Sequence, residues 1–215
     1  MTPPDPVLLL HQWLSPAFPV GAFAWSHGIE AAMAQGDIRD RESAQDWIAT
    51  ALEHGSGRSD AVLVAAAWRS TGPADLAALA ELACALSPGA ERLAETRGMG
   101  AAFARAVREL HHFDLPDAPY PVAFGRAARL AGAPLPLVLS LFLQAFVANL
   151  VSAAVRLVPL GQTDGQRITL GLAPLIRGMA ERAEPGDTDR IGSAALRVDL
   201  ASMAHETLPT RLFQS

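Results

Sequence analysis

One apolar stretch stands out from the pattern of hydrophobic and polar positions along the chain. Residues 135–160 form the longest apolar run, and no charged residue interrupts it before Arg156. At about 1.5 Å of rise per residue, a helix over residues 135–158 would be roughly 36 Å long. A helix that is apolar on nearly every side must be enclosed, either by lipid or by other helices. The pattern therefore predicts a long central helix, and the flanking residues must indicate what surrounds it.

The flanks and the polar residues of this stretch favour a buried core helix. A lone membrane span typically carries aromatic belts and a basic loop on one side, whereas residues 132–134 and 161–164 contain no arginine cluster. Gln144 and Asn149, near the middle, would be costly in lipid but can form hydrogen bonds to neighbouring helices. The alternative is a membrane-associated helical protein that uses residues 135–158 as a span.

Most of the remaining chain is also predicted to be helical. Ala44, Trp47, Ile48, Ala51 and Leu52 have the spacing of an amphipathic helix, which Asp40 can cap. Further helices are predicted over residues 7–14, 26–34, 60–69, 75–86, 88–112, 122–130 and 165–183. Ser87 is the predicted cap of the helix over residues 88–112, and Asp164 that of the helix over residues 165–183. Pro174 should bend or split this last helix. The prediction is all-α: a single-domain helical bundle around the long central apolar helix. Residues 1–189 form its body, and residues 190–215 form a C-terminal helix and a flexible C-terminal tail.

The predicted helix over residues 88–112 contains two helix-weakening glycines. Gly98 and Gly100 each lower helix stability by up to ~1 kcal/mol relative to alanine, which indicates a kink or a close backbone contact. Its inner side is predicted to carry Leu93, Phe103, Val107 and Leu110.

Composition excludes several classes of function. All 17 basic residues are arginines, so the chain lacks the lysine that a phosphate-binding P-loop or a Schiff-base enzyme requires. The net charge is −5 and no basic stripe is present, which argues against nucleic acid as a partner. Cys84 is the only cysteine and the N-terminus lacks the basic start of a signal peptide, so we expect a cytoplasmic protein.

No catalytic motif or cofactor site is predicted. GxSxG, HExxH, CxxC and GxGxxG patterns are all missing. His27, His111 and His205 leave the alternative of a weak metal-binding protein, but solvated or capping histidines are the favoured interpretation. We therefore expect no enzyme activity, no cofactor and no resident metal.

Two segments carry apolar side chains that are unusual in a plain bundle. The Pro- and Gly-rich segment from Phe18 to Phe23 could form a protein-docking site or fold back onto the core as a lid. The tail ends in Arg211, Leu212 and Phe213, and such tails often become ordered on a partner. The alternative, a tail packed on its own domain, is equally compatible with the sequence.

Four stretches together resemble one family, the urease accessory protein UreF. The first is SPAFPVGAF at residues 15–23, followed by SHGIE at 26–30, and the second is YPVAFG at 120–125. The third is NLVSAAVRLVPLGQTDGQ at 149–166, and the fourth is DLASM at 199–203 with HET at 205–207 and RLF at 211–213. The resemblance spans nearly the whole chain.

This resemblance implies an all-helical homodimer that acts as an adaptor. Members of the family bind the accessory protein UreD, also called UreH, and the complex recruits or regulates the GTPase UreG for nickel insertion into the urease apoprotein. Carried onto this chain, the resemblance places UreD binding on the C-terminal helix and tail, at Met203, His205, Glu206, Arg211, Leu212, Phe213 and Ser215.

The chain departs from the family pattern in two places. Ala204 and Gln214 stand where basic residues are usual, and residues 208–210 differ from the common pattern, which affects the expected strength of the tail contact. Arg97 is retained without the Gln-Gly-Arg run that often follows it, and it is a candidate contact for the GTPase.

Overall fold

The computed structural model describes residues 5–214, and these residues form helices with no strand among them. The all-α prediction is confirmed. The helices are α1 Pro6–Trp13, α2 Ile29–Ala34, α3 Arg41–His54, α4 Ser56–Arg69, α5 Pro73–Ala85, α6 Ala90–His111, α7 Tyr120–Leu130, α8 Leu135–Leu157, α9 Gln162–Ala183 and α10 Leu196–His205, with short 3-10 turns at Ala22–Ala24 and Thr188–Arg190.

Helix α8 is the central helix that the apolar run predicts. It packs against α9, α4 and α3, and it also contacts α1, α2 and α7. Its buried side chains include Leu139, Phe142, Leu143 and Val147, and burial of each contributes roughly 1.5–3 kcal/mol. Length and composition alone would allow α8 to cross a membrane, but half of its most apolar 18-residue window is buried inside the protein. The packing supports the core-helix interpretation.

Several helix boundaries differ from those predicted. Helix α4 begins at Ser56, not at Asp60, because the chain turns at Gly55 directly after α3. Ser87 does not cap α6, whose N-cap position is Gly89. Helix α2 begins at Ile29, three residues later than predicted, after the left-handed turn at Gly28.

Helix α9 is longer than the pattern predicts. It begins at Gln162, so Asp164 lies in its first turn and is not its cap, and it continues unbroken through Pro174. Proline removes the hydrogen bond to the carbonyl four residues earlier, which is that of Leu170. The Leu170 side chain is 77% exposed, so this carbonyl lies on the outer face of α9, where water can satisfy it.

Of the two alternatives predicted for the glycines of α6, a kink or a close backbone contact, the structure shows a close contact at Gly100. A Cβ atom at Gly100 would lie 1.9 Å from the carbonyl oxygen of Ala118, while a Cβ at Gly98 would meet open space. Phe103 and Val107 are buried as predicted, but Leu110 is exposed, because α6 extends beyond the core near its C-terminal end.

Both segments with unusual apolar residues lie on the domain surface near α2. Phe18 folds inward and packs against Phe103, with ring centroids 5.8 Å apart, whereas Phe23 is 62% exposed. Residues 206–214 are packed on the helical body, which is the second of the two alternatives for the tail. Ser215 lies outside the described residues.

Candidate partner-binding surface

Helices α2 and α10 meet at a glycine. Gly28 has a φ of +77°, and a Cβ atom there would lie 2.7 Å from the backbone nitrogen of Ser202. A side chain at this position would be strained by the backbone conformation and would also push α10 away. The SHG sequence at residues 26–28 therefore brings the start of α2 directly against α10.

Glu30, on α2, anchors the tail through its backbone. Its Oε1 accepts a hydrogen bond from the Leu212 amide at 2.8 Å, and its Oε2 accepts one from the Phe213 amide at 3.0 Å. The same Oε2 lies 3.0 Å from Nε2 of His205. Burial by itself raises the pKa of Glu30, but the hydrogen bonds from Leu212, His205 and Phe213 outweigh it, and the pKa is lowered. The carboxylate is therefore held in its ionised form.

Glu91, on α6, binds the other side of the same segment. Its Oε2 lies 2.8 Å from Nδ1 of His205, and its Oε1 accepts from Arg211 at 2.6 Å. The imidazole of His205 is thus fully buried between two carboxylates, Glu30 and Glu91. These contacts join α10 and the tail to both α2 and α6.

Glu206 caps a helix from a distance. Its Oε1 accepts a hydrogen bond of 2.7 Å from the amide of Ala90, at the start of α6, and lies 3.4 Å from the amide of Glu91. The first amides of a helix have no partner inside the helix, and α6 has no side-chain cap of its own at Gly89. Glu206 therefore provides a hydrogen-bond acceptor for the first amides of α6, and the same contact holds the end of α10 in place.

Arg156, on α8, ties the tail to the Phe18–Phe23 segment. Its guanidinium carbon lies 4.3 Å from the ring centroid of Phe213, and its NH2 donates to the carbonyl of Phe23 at 2.8 Å. The amide of Gln214 donates to the carbonyl of Ala24 at 2.8 Å. Phe213 is buried, so the last described residues are held by both packing and hydrogen bonds.

An apolar face remains exposed outside these anchors. We call Leu196, Leu200 and Met203 the α10 face, because they lie at i, i+4 and i+7 of one helix and are all exposed. On the tail, Leu212 is 77% exposed although its backbone is bound to Glu30. Exposed apolar side chains grouped in this way are typical of interaction sites.

The sequence-predicted contact residues divide into two groups. His205, Glu206, Arg211 and Phe213 are engaged by the domain itself, as anchors of the tail. Met203, Leu212, Phe23 and Arg97 are exposed, and none of their side chains serves as an anchor of this kind. Phe18 is buried, so its assignment as an exposed docking residue is corrected: it packs in the aromatic core beside Phe103.

Sequence reasoning missed the two acids that organise this surface. Glu30 and Glu91 are 175 and 114 residues from His205, so no local spacing connects them. The available signal was the position of Glu30 among apolar neighbours in α2, where Ile29, Ala31 and Ala32 are buried. An acid in such a segment must find donors, because burial of an unpaired charge is costly.

A second buried polar cluster lies where α6 faces the start of α2. Nε2 of His27 is 3.0 Å from Glu95 Oε1 and 3.1 Å from Arg92 NH1, and Arg92 and Glu95 form a direct ion pair. Burial and the positive charge of Arg92 lower the pKa of His27, so its ring is neutral near pH 7. Burial alone would raise the pKa of Glu95, but Arg92 and His27 lower it to about 2.

The candidate metal-binding histidines all have protein partners. His27 and His205 contact the carboxylates described above, and His111 accepts a hydrogen bond of 3.3 Å from the indole N–H of Trp13. Across residues 5–214, no group of three or more His, Cys, Asp or Glu side chains is arranged to hold a metal ion.

Comparison with known proteins identifies one family. The UreF family profile matches residues 38–173. A urease accessory protein UreF from Cereibacter sphaeroides strain KD131 is 56% identical over 209 residues, covering 97% of this chain and 98% of the relative. The UreF proteins of Roseobacter denitrificans and Rhodopseudomonas palustris strain BisB5 are 49% and 47% identical, over 98% and 96% of this chain and 95% and 90% of their own lengths.

These relatives agree with the resemblance that the four sequence stretches indicated. Their shared name describes an accessory role rather than an enzymatic one, in agreement with the expectation from the missing catalytic motifs. The chain belongs to the UreF family of urease accessory proteins.

Proposed function

We propose that this chain is a non-enzymatic adaptor in urease maturation, which binds UreD through α10 and the tail and so recruits the GTPase UreG for nickel insertion into the urease apoprotein. The observation that carries the proposal is the exposed α10 face together with Leu212. These side chains are apolar and lie beside a backbone that is already fixed. Preorganised apolar groups favour association, because less conformational entropy is lost on binding.

The anchored tail gives a distinct role to the candidate residues that contact the domain itself. His205, Glu206, Arg211 and Phe213 hold the tail in place, so we assign them to positioning. Met203 and Leu212 are then the candidates for direct contact with UreD, and Ser215 stays a prediction from the family pattern. Arg97 and Phe23 are exposed and stay candidates for contacts with UreG or another partner.

A pull-down with tagged UreD tests this surface. We expect Leu200→Asp to reduce capture of UreD at least tenfold, since a charge would be buried in the contact. Leu170→Asp is the matched control, because Leu170 is equally apolar and 77% exposed but lies on α9. A chain truncated before Arg211 should also bind weakly. If wild type, Leu200→Asp and the truncated chain all captured UreD equally, α10 and the tail would have no part in binding UreD.

Recruitment of UreG and dimer formation need separate measurements. We expect UreG to co-purify with the complex of this chain and UreD, and not with UreD alone. Light scattering after size exclusion should give twice the mass of one chain for the purified protein. The cytoplasm is the proposed location, supported by the single cysteine, Cys84; fractionation of cells into soluble and membrane pools tests it.

A further inference from the structure

A cavity of about 200 Å³ lies between α1, α6, α7 and α8 and opens beside residues 14–23. Aromatic rings make up much of its wall: Trp13, Tyr120, Phe142 and Phe146 all line it. The rest of the lining includes charged residues, with Asp60 of α4 beside the His27, Arg92 and Glu95 cluster. The cavity is thus a largely apolar pocket whose wall also carries the buried His27, Arg92 and Glu95 and the half-buried Asp60.

The Asp60 carboxylate has no direct partner in the part of the chain that the structure describes. No hydrogen bond or ion pair reaches it from residues 5–214, because Arg92 is engaged by Glu95. Burial raises the pKa of Asp60 to about 6; the charge of Arg92 opposes this shift and that of Glu95 adds to it. One guanidinium, two carboxylates and a neutral His27 leave one negative charge uncompensated at pH 7. Asp60 is half-buried, and a cation bound beside its carboxylate would compensate this charge.

We propose that this cavity binds an alkylammonium group, with the ammonium on the Asp60 carboxylate and the hydrocarbon stem between the aromatic walls. Aromatic faces attract ammonium ions, and the half-buried carboxylate of Asp60 adds a charge-assisted hydrogen bond. An engineered cavity of about 150 Å³ holds benzene, so a four-carbon ammonium has room here. A metal ion fits less well, because the Arg92 guanidinium already contacts both His27 and Glu95, the groups that would have to bind the metal.

No side chain of this protein can supply the ligand. The sequence contains no lysine, so neither the chain nor a second copy can supply an ammonium on a side chain. The two sources are a free small amine and a lysine side chain of another protein that reaches in beside the exposed Pro16 and Phe23. The shared chemistry is a primary ammonium on an apolar stem. This site is independent of the proposed binding of UreD.

The test is a titration of the full chain with n-butylammonium, in which binding is monitored through the amide NMR signals of Asp60 and Thr96. The control probe is n-butanol, which has the same stem and no charge. We expect saturable shifts with n-butylammonium and at least tenfold weaker binding of n-butanol. Equal affinity for the two probes, or shifts that do not saturate, would overturn the proposal.

Two variants and one control link the binding to the cavity. Asp60→Asn should remove the preference for the ammonium probe, while Asp46→Asn, at an exposed position on α3, should leave it unchanged. Ala145→Leu narrows the cavity from its half-buried α8 wall without changing charge, so it should weaken both probes. An unchanged preference in Asp60→Asn, or unchanged affinities in a folded Ala145→Leu protein, would contradict the assignment.

A peptide arm separates the two sources. An acetylated Ala-Lys-Ala amide that binds as tightly as n-butylammonium, and loses binding when its lysine is acetylated, supports a partner's lysine as the ligand. A peptide that fails to bind where n-butylammonium succeeds supports a free amine.

Discussion

Substitution of Glu30 by glutamine should release the tail while leaving the helical body folded. The carboxylate accepts two backbone amides, those of Leu212 and Phe213, and contacts His205. Glutamine keeps one oxygen and turns an NH₂ group towards the remaining donors. A hydrogen bond to a charged group contributes about 1.5–3 kcal/mol, and a buried donor left without a partner costs about 1–3 kcal/mol.

The free energy that holds the tail on the domain should therefore fall by roughly 2–4 kcal/mol, because one hydrogen bond is lost and another is no longer made to a charged acceptor. Since about 1.4 kcal/mol corresponds to a factor of ten, the population with a detached tail should rise roughly 30- to 1,000-fold. Amide hydrogen exchange at Leu212 and Phe213 measures this population directly. Exchange within α8 should change little, because α8 belongs to the core rather than to the tail.

Glu81→Gln is the matched control, since Glu81 is exposed on α5 and remote from the tail contacts. The sign of the pH dependence follows from the lowered pKa of Glu30. A carboxylate with a lowered folded-state pKa contributes stability that is present above its ordinary value of 4.5 and is lost as pH falls through the folded-state pKa. Protection of the tail amides should thus persist at neutral pH and disappear in acid. If exchange at Leu212 and Phe213 were the same in Glu30→Gln and Glu81→Gln, the anchoring role of Glu30 would be wrong.

Three further predictions concern the helical body. Burial raises the pKa of Asp60 to about 6, so its ionised carboxylate destabilises the fold increasingly as pH rises from 4 through 6. Asp60→Asn removes this destabilisation. The stability that the variant gains over wild type, measured by urea unfolding, should therefore grow by about 1 kcal/mol between pH 5 and 7.5. Gly100→Ala should lower the unfolding free energy by about 2 kcal/mol or more, because its Cβ meets the carbonyl of Ala118, whereas Gly98→Ala, in open space, should raise it by up to ~1 kcal/mol; urea midpoints measure both. Glu206→Ala should cost about 1 kcal/mol through loss of the α6 cap, and faster hydrogen exchange in the first turn of α6 would report it.

The features that sequence analysis predicted correctly are those encoded locally. Ala44, Ile48 and Leu52 recur at helical spacing, and all are buried on α3 with Asp40 as the cap. The long run of α8 carries its own signal in the same way, because apolar residues on nearly every side require burial. Local patterns of this kind determine element type, whereas boundaries such as those of α4 and α9 depend on contacts with the rest of the domain.

The candidate site depends on contacts that no local pattern contains. His205 appeared as a lone histidine in the sequence, yet it lies between two acids from distant helices. Phe18 and Phe23 lie five residues apart in the same loop, and one is buried while the other is exposed. Only the three-dimensional arrangement determines which of these groups can reach a partner.

Because the tail is anchored to the domain, two ways in which UreD could bind it can be told apart. If UreD recognises Leu212 in the position that Glu30 fixes, detaching the tail adds an ordering cost to the complex, and Glu30→Gln should weaken UreD binding although Glu30 is buried and remote from solvent. If UreD instead binds a tail that has left the domain, the same substitution removes a competing interaction and should strengthen binding by up to the factor by which exchange at Leu212 increases. The direction of the affinity change in one variant therefore decides between a preformed surface and a displaced one. Because Leu212 is exposed while its amide is bound, we expect the affinity to fall.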